Sequence, residues 1–425
     1  MVTQGEPTDV FARIQARHAR CVWLDGGGAR DWSRRRSLVG WLDDDDVSLT
    51  YDAATREVTR HAGGRAVVVG DDPFAVLEAE LGAGRPSDQW FGYFGYAARP
   101  DLPATPDPDL PDAVWLRPSH IREYDHRPAR DVVPASGGAH LDKHGSPRSA
   151  GDSCAPLAPY AAAFAAVQER LRAGDSYEVN LTHRLRADSP LTPAAAYLRL
   201  RALNPAPYAG FLQHDVPGAR AWLLSSSPER YALVDEDRTL ETKPIKGTTA
   251  RGATPEEDEA ARQRLASDPK YRAENLMIVD LLRNDLATVC EVGSVHVPAL
   301  MQVESYASVH QLVSTVRGRL RDDVTTVGAL RALFPAGSMT GAPKLRTMEI
   351  IEEVEATPRG AYAGAFGWVS GDGRADLGVV IRTLATAGDD YVLGTGGGIT
   401  VASEIAEEWA ETEWKAARLL QAIRP

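Results

Sequence analysis

Short β-type apolar runs alternate with amphipathic helical patterns along this chain, and none of the apolar runs is long. The most apolar short run, residues 161–167, falls far below the ~20 residues needed to span a bilayer, so membrane insertion is disfavoured. Such alternation restricts the chain to helices layered on sheets, because each element has an apolar face to bury. Apolar spacing predicts helices over 160–173 (stopped by Gly174), 269–286 and 402–423. Residues 221–224, 231–234, 377–381 and 391–393 read as strands, as do 20–24, 47–51 and 66–69 nearer the start. The class is α/β (α+β) with substantial antiparallel sheet, and there is no internal repeat.

The 425 residues carry 47 Lys and Arg against 59 Asp and Glu, a formal charge of −12. With no Lys/Arg cluster, nucleic acid and an anionic membrane are poor partners. An anionic substrate would need positive charge supplied locally. Cys21, Cys154 and Cys290 stand far apart without metal-site spacing, and the first residues have neither an apolar signal core nor a basic lead-in. The expectation is a protein of the reducing cytoplasm, without a disulfide framework. A Gly/Ser/Pro-rich stretch from Pro134 to Pro156 reads as a connector. It gives an N-terminal region 1–135, a linker 136–156 and a C-terminal region 157–425.

Five places in the sequence are candidates for chemistry. Lys246, between Ile245 and Gly247, sits in an apolar, tightly turned setting where desolvation favours a neutral, nucleophilic amine; the alternative is a strand-end lysine facing water. Glu229, after a strand-like run, could serve as a general acid if burial raised its pKa; the alternative is a surface pair with Arg230. Glu274 shares a helical face with Met277, Ile278 and Leu281, so it must be paired, protonated or bound to a metal. Glu404, Glu408, Glu411 and Lys415 fall on one helical line, where stacked carboxylates call for a cation such as magnesium; the alternative is a solvated acidic helix. Gly394 to Ile399 reads as an amide-lined loop for an anion, with Arg382 nearby to hold a carboxylate; the alternative is a tight hairpin with an ordinary surface Arg. A glycine turn at Gly26 to Gly28 and an acidic turn at Asp43 to Asp46 lack the spacing of phosphate or calcium loops.

The motifs SSSPER, KPIKGT, DPKYRAENLMIVDLLRND, LFPAGSMTGAPK, IRT and GTGGGI…EEWAETEWKA, in this order over residues 160–425, resemble the chorismate-utilising enzymes. Lys246 in PIKGT, where anthranilate, isochorismate and salicylate enzymes carry PIAGT, is similar to the aminodeoxychorismate branch, as is Asn275. The resemblance implies an anthranilate synthase component I-like sandwich of mixed, largely antiparallel sheets flanked by helices. It implies a chorismate aminase (a transaminase-class transferase) on the p-aminobenzoate and folate route.

By the same resemblance, Glu274 and Glu411 match magnesium ligands, with Glu408 beside them through water. Glu229 matches the general acid, and Lys246 matches the lysine that attacks C2 of chorismate before ammonia enters at C4. Arg382, Tyr362, Lys415 and the amides of Gly396, Gly397 and Gly398 match substrate-carboxylate contacts. Thr248, Ser338 and His310 match further pocket positions. The implied partners are chorismate, ammonia, a separate glutamine amidotransferase subunit, which would need about 190 more residues, more than a typical domain, and a downstream pyridoxal-phosphate aminodeoxychorismate lyase. Glu178 departs from the Gln usual in aminating branches, and Tyr271 replaces an acidic residue common in anthranilate synthases. The N-terminal region matches more loosely. The other readings are anthranilate synthase component I and a non-catalytic paralogue that binds an amino acid or scaffolds an amidotransferase.

Overall fold

The computed structural model describes residues 6–26, 36–126, 157–306 and 309–424. The connector expected over 136–156, with Cys154, and Gly27 and Gly28 of the glycine turn lie outside them. Two large antiparallel sheets face each other. The first runs, neighbour to neighbour, through Gly341–Ala342, Glu178–Ala187, Tyr391–Ile399, Thr383–Thr386, Ala221–Ser227, Tyr208–His214, Arg20–Asp25, Arg36–Trp41 and His120–Asp125. The second runs through Ile245–Ala250, Val309–Arg319, Thr239–Lys243, Arg230–Val234, Ala375–Val379, Ala365–Ser370, Gln89–Phe94, Ala113–Arg117, Val47–Asp52, Glu57–Ala62 and Arg65–Gly70, with His296–Ser305 branching from Val309–Arg319.

Strand alternation explains why the sheets stack. In Arg20–Asp25, Val22 points into the space between the sheets, where it joins Leu212 and Leu223 against Phe91, Tyr93, Val114 and Phe366. Its neighbour Trp23 points the other way and packs with Phe11, Tyr197, Phe211 and Leu224. Side chains one residue apart face opposite sides of a sheet, so the first sheet is buried on both faces. Helices Pro7–Gln15, Pro193–Leu203 and Ile405–Ile423 cover its outer face. Helices Pro73–Ala83, Pro269–Ala287 and Thr326–Leu333 cover that of the second. Each fully buried phenylalanine, such as Phe91 or Phe211, contributes roughly 1.5–3 kcal/mol relative to exposure.

Regions 1–135 and 157–425 both contribute to each sheet. Arg20–Asp25 pairs with Tyr208–His214, and Gln89–Phe94 pairs with Ala365–Ser370. The acidic turn at Asp43 to Asp46 is held from inside: the Arg20 guanidinium donates to the carbonyls of Asp43 (2.7 Å), Asp44 (3.1 Å) and Asp46 (2.8 Å).

Two crossovers from one sheet to the other position the site. Ala221–Ser227 belongs to the first sheet and Arg230–Val234 to the second, so Pro228 and Glu229 bridge them. Ala375–Val379 and Thr383–Thr386 make the return crossing, so the strand expected over 377–381 ends two residues early. Arg382 turns that corner at φ 50°, a backbone region seldom used by residues other than Gly, Asn and Asp. The crossings are bonded together: the Val379 amide donates to the Glu229 carbonyl (2.9 Å), and the Ser226 amide and hydroxyl donate to the Arg382 carbonyl (3.1 and 2.9 Å).

Candidate active site

A cavity of about 590 Å³ opens beside these crossovers. It is lined by Lys246, Thr248, Glu229, Ser338, Tyr362, Arg382, Gly396, Gly397, Gly398, Glu274, Glu408, Glu411 and Lys415. Residues nearly 200 positions apart in the chain therefore meet in one pocket. His310 does not line it. Its ring is buried between Asp258 (3.0 Å) and Ser305 (2.8 Å), on a residue that pairs with Thr249 in the sheet.

Lys246 is only 9% exposed, which removes the reading of a strand-end lysine in water. Gly247 beside it takes φ 89°, and a Cβ there would come within 2.9 Å of the Tyr271 ring. Only glycine lets the strand lie this close to the Pro269–Ala287 helix. The expectation of a neutral amine fails in the resting site. Burial alone would lower the Lys246 pKa, but the carboxylates of Glu178, Glu274 and Glu229 outweigh it and raise the pKa above its ordinary value. The ammonium is paired directly with Glu178, which is 1% exposed. Glu178 stood out in the sequence only as an unusual residue; its partnership with Lys246, across 68 positions, had no local signal.

Glu229 is buried and accepts a hydrogen bond from Ser338 (2.7 Å), a residue of the short turn Gly337–Met339. Burial pushes its pKa up to about 7 against the opposing pull of Ser338 and Lys246. The surface pair with Arg230 does not form. Arg230 points the opposite way along the strand, into an ion pair with Glu241.

Glu274 reaches the cavity from the Pro269–Ala287 helix, which Asp268 caps by accepting from the amides of Lys270 and Tyr271. Burial raises its pKa to about 7, and Oε1 has no hydrogen-bond partner among the described residues. Glu408 and Glu411 face it from the C-terminal helix. That helix starts at Ile405 rather than 402, since Ser403 bonds back to the Thr400 amide (3.1 Å) and to Glu408 (2.7 Å). Glu404 is therefore an exposed cap residue, off the expected line of carboxylates. Burial and the neighbouring Glu411 raise the Glu408 pKa, with Lys270, 3.1 Å away, opposing. Burial pushes the Glu411 pKa up, but Lys415, 2.6 Å away, holds it below its ordinary value. Lys270 is a site residue that sequence reasoning missed. Burial disfavours its charge, yet Glu408, Glu274 and Glu411 together raise its pKa.

The stretch from Gly394 to Ile399 is a strand, not a loop. It continues Tyr391–Ile399 in register with Glu178–Ala187, with Gly396 opposite Thr182, Gly397 opposite Leu181 and Gly398 opposite Asn180. Its glycines serve close approach. A Cβ on Gly394 would strike the Tyr362 ring, one on Gly397 would lie 3.1 Å from Glu408 Oε2, and one on Gly398 would strike the Glu178 carboxylate. Lys415 donates to the Gly396 carbonyl (2.6 Å). Burial lowers the Arg382 pKa to about 10; the guanidinium stacks over Trp414 at 5.0 Å and has no hydrogen-bond partner among the described residues.

No ready-gathered set of three Asp, Glu, His or Cys ligands occurs among the described residues. The donors nevertheless suit a hard divalent cation: Glu274 has an unpartnered buried oxygen, and Glu408 and Glu411 crowd one another across from it. No helix among the described residues is long and apolar enough to cross a membrane. Cys21 and Cys290 are buried free thiols.

A family profile described as chorismate binding enzyme matches residues 21–421. The chain is 53% identical over 256 residues to an aminodeoxychorismate synthase of Streptomyces griseus, a match covering 60% of this chain and 35% of that protein. It thus spans about a third of the length of that relative. It is 37% identical over 372 residues to anthranilate synthase component 1 of Streptomyces coelicolor, covering 78% of this chain and 72% of that one. The crystal structure of anthranilate synthase component I from Streptococcus pneumoniae superposes with a TM-score of 0.72 at 26% identity, covering 90% of this chain and 92% of that chain. By these matches the chain belongs to the family of chorismate binding enzymes.

Proposed function

We propose that this chain aminates chorismate at C4, giving 4-amino-4-deoxychorismate for the route to p-aminobenzoate and folate. The observation that carries this reading is the meeting of Lys246 and Glu229 in one buried cavity, the amine beside a carboxyl group that keeps its proton to about pH 7. A hydroxide ion is a poor leaving group unless it is protonated as it departs.

The Lys246 nitrogen attacks C2 and the two ring double bonds shift. The C4–O bond breaks as Glu229 gives its proton, and water leaves. Ammonia then attacks C4, the double bonds shift back, and the C2–N bond breaks to free the lysine. The new C4 ammonium returns one proton to Glu229. Chorismate and ammonia are consumed, and aminodeoxychorismate and water are formed. With its own amine on C2, the enzyme leaves C4 as the position open to ammonia.

The substrate's two carboxylates need positive charge in an acidic protein. The Arg382 guanidinium, over the Trp414 ring, makes no hydrogen bond among the described residues, and Lys415 stands at the Gly396 carbonyl. Tyr362, Thr248 and the strand of Gly396, Gly397 and Gly398 shape the wall against which the ring lies. Glu274, Glu408 and Glu411 would hold magnesium, which supplies charge to offset a substrate carboxylate. We assign the ammonia to a glutamine amidotransferase partner and consumption of the product to a pyridoxal-phosphate lyase.

The test is to incubate the purified chain with chorismate, Mg2+ and ammonium and identify the product by chromatography. Aminodeoxychorismate is expected. Fluorescent anthranilate as the main product would replace this reading with anthranilate synthesis, and unchanged chorismate would point to a non-catalytic paralogue.

A further inference from the structure

A lysine held as an ammonium cannot attack carbon, because its lone pair is occupied by a proton. The site has therefore to provide somewhere for that proton to go. Lys246 makes its direct ion pair with Glu178. Glu274, from the Pro269–Ala287 helix, and Glu229, from the crossover, act on the lysine through charge, with no hydrogen bond to it among the described residues. Glu229 is engaged with Ser338, and it must begin as an acid for the hydroxyl to leave.

Glu178 is placed as a fixed part rather than a surface contact. Its strand lies between Gly341–Ala342 and Tyr391–Ile399. A Cβ on Gly341 would strike the Glu178 carbonyl, and one on Gly398 would strike its carboxylate and come within 3.0 Å of Lys246 Nζ. One carboxylate oxygen bonds Lys246; the other, Oε2, is buried without a partner among the described residues. A buried oxygen with no partner calls for an explanation. Here it can take a proton without giving up an existing bond, and neutralising the pair suits a dry site better than two separated charges.

We propose that Glu178 is the base of the covalent step. It takes one proton from the Lys246 ammonium as the nitrogen bonds to C2, and gives it back when ammonia expels the lysine. The inference rests on the reading of Lys246 as the nucleophile. In the first half, one N–H bond breaks and one O–H bond forms on Glu178 while the nitrogen lone pair makes the N–C2 bond. In the second half the same proton returns to the freed amine, so the pair ends as it began. Because the proton stays within the pair, the supply of reactive amine is insensitive to bulk pH.

The test omits ammonium, so that the reaction stops after its first half. The full chain is mixed with chorismate and Mg2+, quenched at intervals, and the mass on Lys246 is measured; the adduct weighs chorismate less one water. Wild type is expected to form it with only the pH dependence that the Glu229 proton imposes, level below about pH 7 and falling above it. Glu178→Gln, which keeps shape but accepts no proton, is expected to form it at least tenfold more slowly at neutral pH, with the deficit against wild type narrowing as pH rises. Glu178→Asp keeps a base and is expected to show the wild-type profile at a reduced rate.

A Glu178→Gln enzyme with the wild-type rate and the wild-type profile overturns the role. So does one whose deficit against wild type is the same at every pH while it binds chorismate and melts like wild type. If wild type itself binds chorismate and forms no adduct, the nucleophile reading fails first and this inference with it. An adduct in wild type with no Glu178→Gln effect overturns the base alone.

Discussion

Glu229 can protonate a departing hydroxyl only while it carries a proton, and its surroundings fix how long that lasts. Burial lifts its pKa to about 7, whereas an exposed glutamate would already be ionised at neutral pH. The sign follows directly: the active form is the protonated one, so kcat/KM is expected to be level below about pH 7 and to fall above it. A pH–rate profile measures this, and a rate that rises through pH 8 would contradict it. Glu229→Gln should lower kcat by about 10²–10⁴-fold and abolish that limb. Lys246→Ala should lose efficient amination at C4; normal product and rate in both variants would remove these roles. The motif around Glu229 marked the residue, but its environment could not be read from neighbours. The Arg230 beside it suggested an ion pair that strand alternation forbids, and Ser338, which does bond it, lies 109 positions away.

Two helices bring the acidic side of the cavity together, and what each contributes depends on where it begins. Asp268 starts the Pro269–Ala287 helix so that Glu274 faces inward with an oxygen that has no partner among the described residues. The C-terminal helix starts at Ile405, which places Glu408 and Glu411 opposite while leaving Glu404 outside. Close carboxylates in a buried place repel unless cations lie among them; Lys270 and Lys415 provide part of that charge. Excess chelator is therefore expected to abolish turnover and Mg2+ to restore it. Glu274→Gln, which removes one charge, should need a higher Mg2+ concentration for half-maximal rate. Full activity in chelator would contradict the assignment of Glu274, Glu408 and Glu411.

At this scale helix periodicity was a good guide, with the Pro269–Ala287 helix within one residue of its expected end. The glycine run failed as a guide because glycine has weak strand preference. What makes it a strand is nine residues of pairing with Glu178–Ala187, a partner some 200 positions away.

The whole molecule is held by a sandwich whose two sheets each draw strands from both halves of the chain. Composition marked a connector at 136–156 and so suggested an N-terminal region and a separate catalytic region. The pairings show how much of the second depends on the first. Without residues 1–135, Tyr208–His214 would lose Arg20–Asp25 along one edge, and Ala365–Ser370 would lose Gln89–Phe94. Both new edges would expose unpaired amides and carbonyls, which invite association. The inter-sheet core would lose Val22, Phe91, Tyr93 and Val114. Removing even one buried phenylalanine side chain costs about 3–5 kcal/mol, against a total stability on the order of 5–15 kcal/mol. Residues 157–425 expressed alone are therefore expected to aggregate or to melt without a cooperative transition, although they carry every residue assigned to the chemistry. Calorimetry and size-exclusion chromatography of that fragment decide the matter. A monomer with a sharp transition would show that the catalytic region folds by itself. Recovery of a cooperative melt only when residues 1–135 are supplied as a second chain would show that the two sheets are completed across both regions.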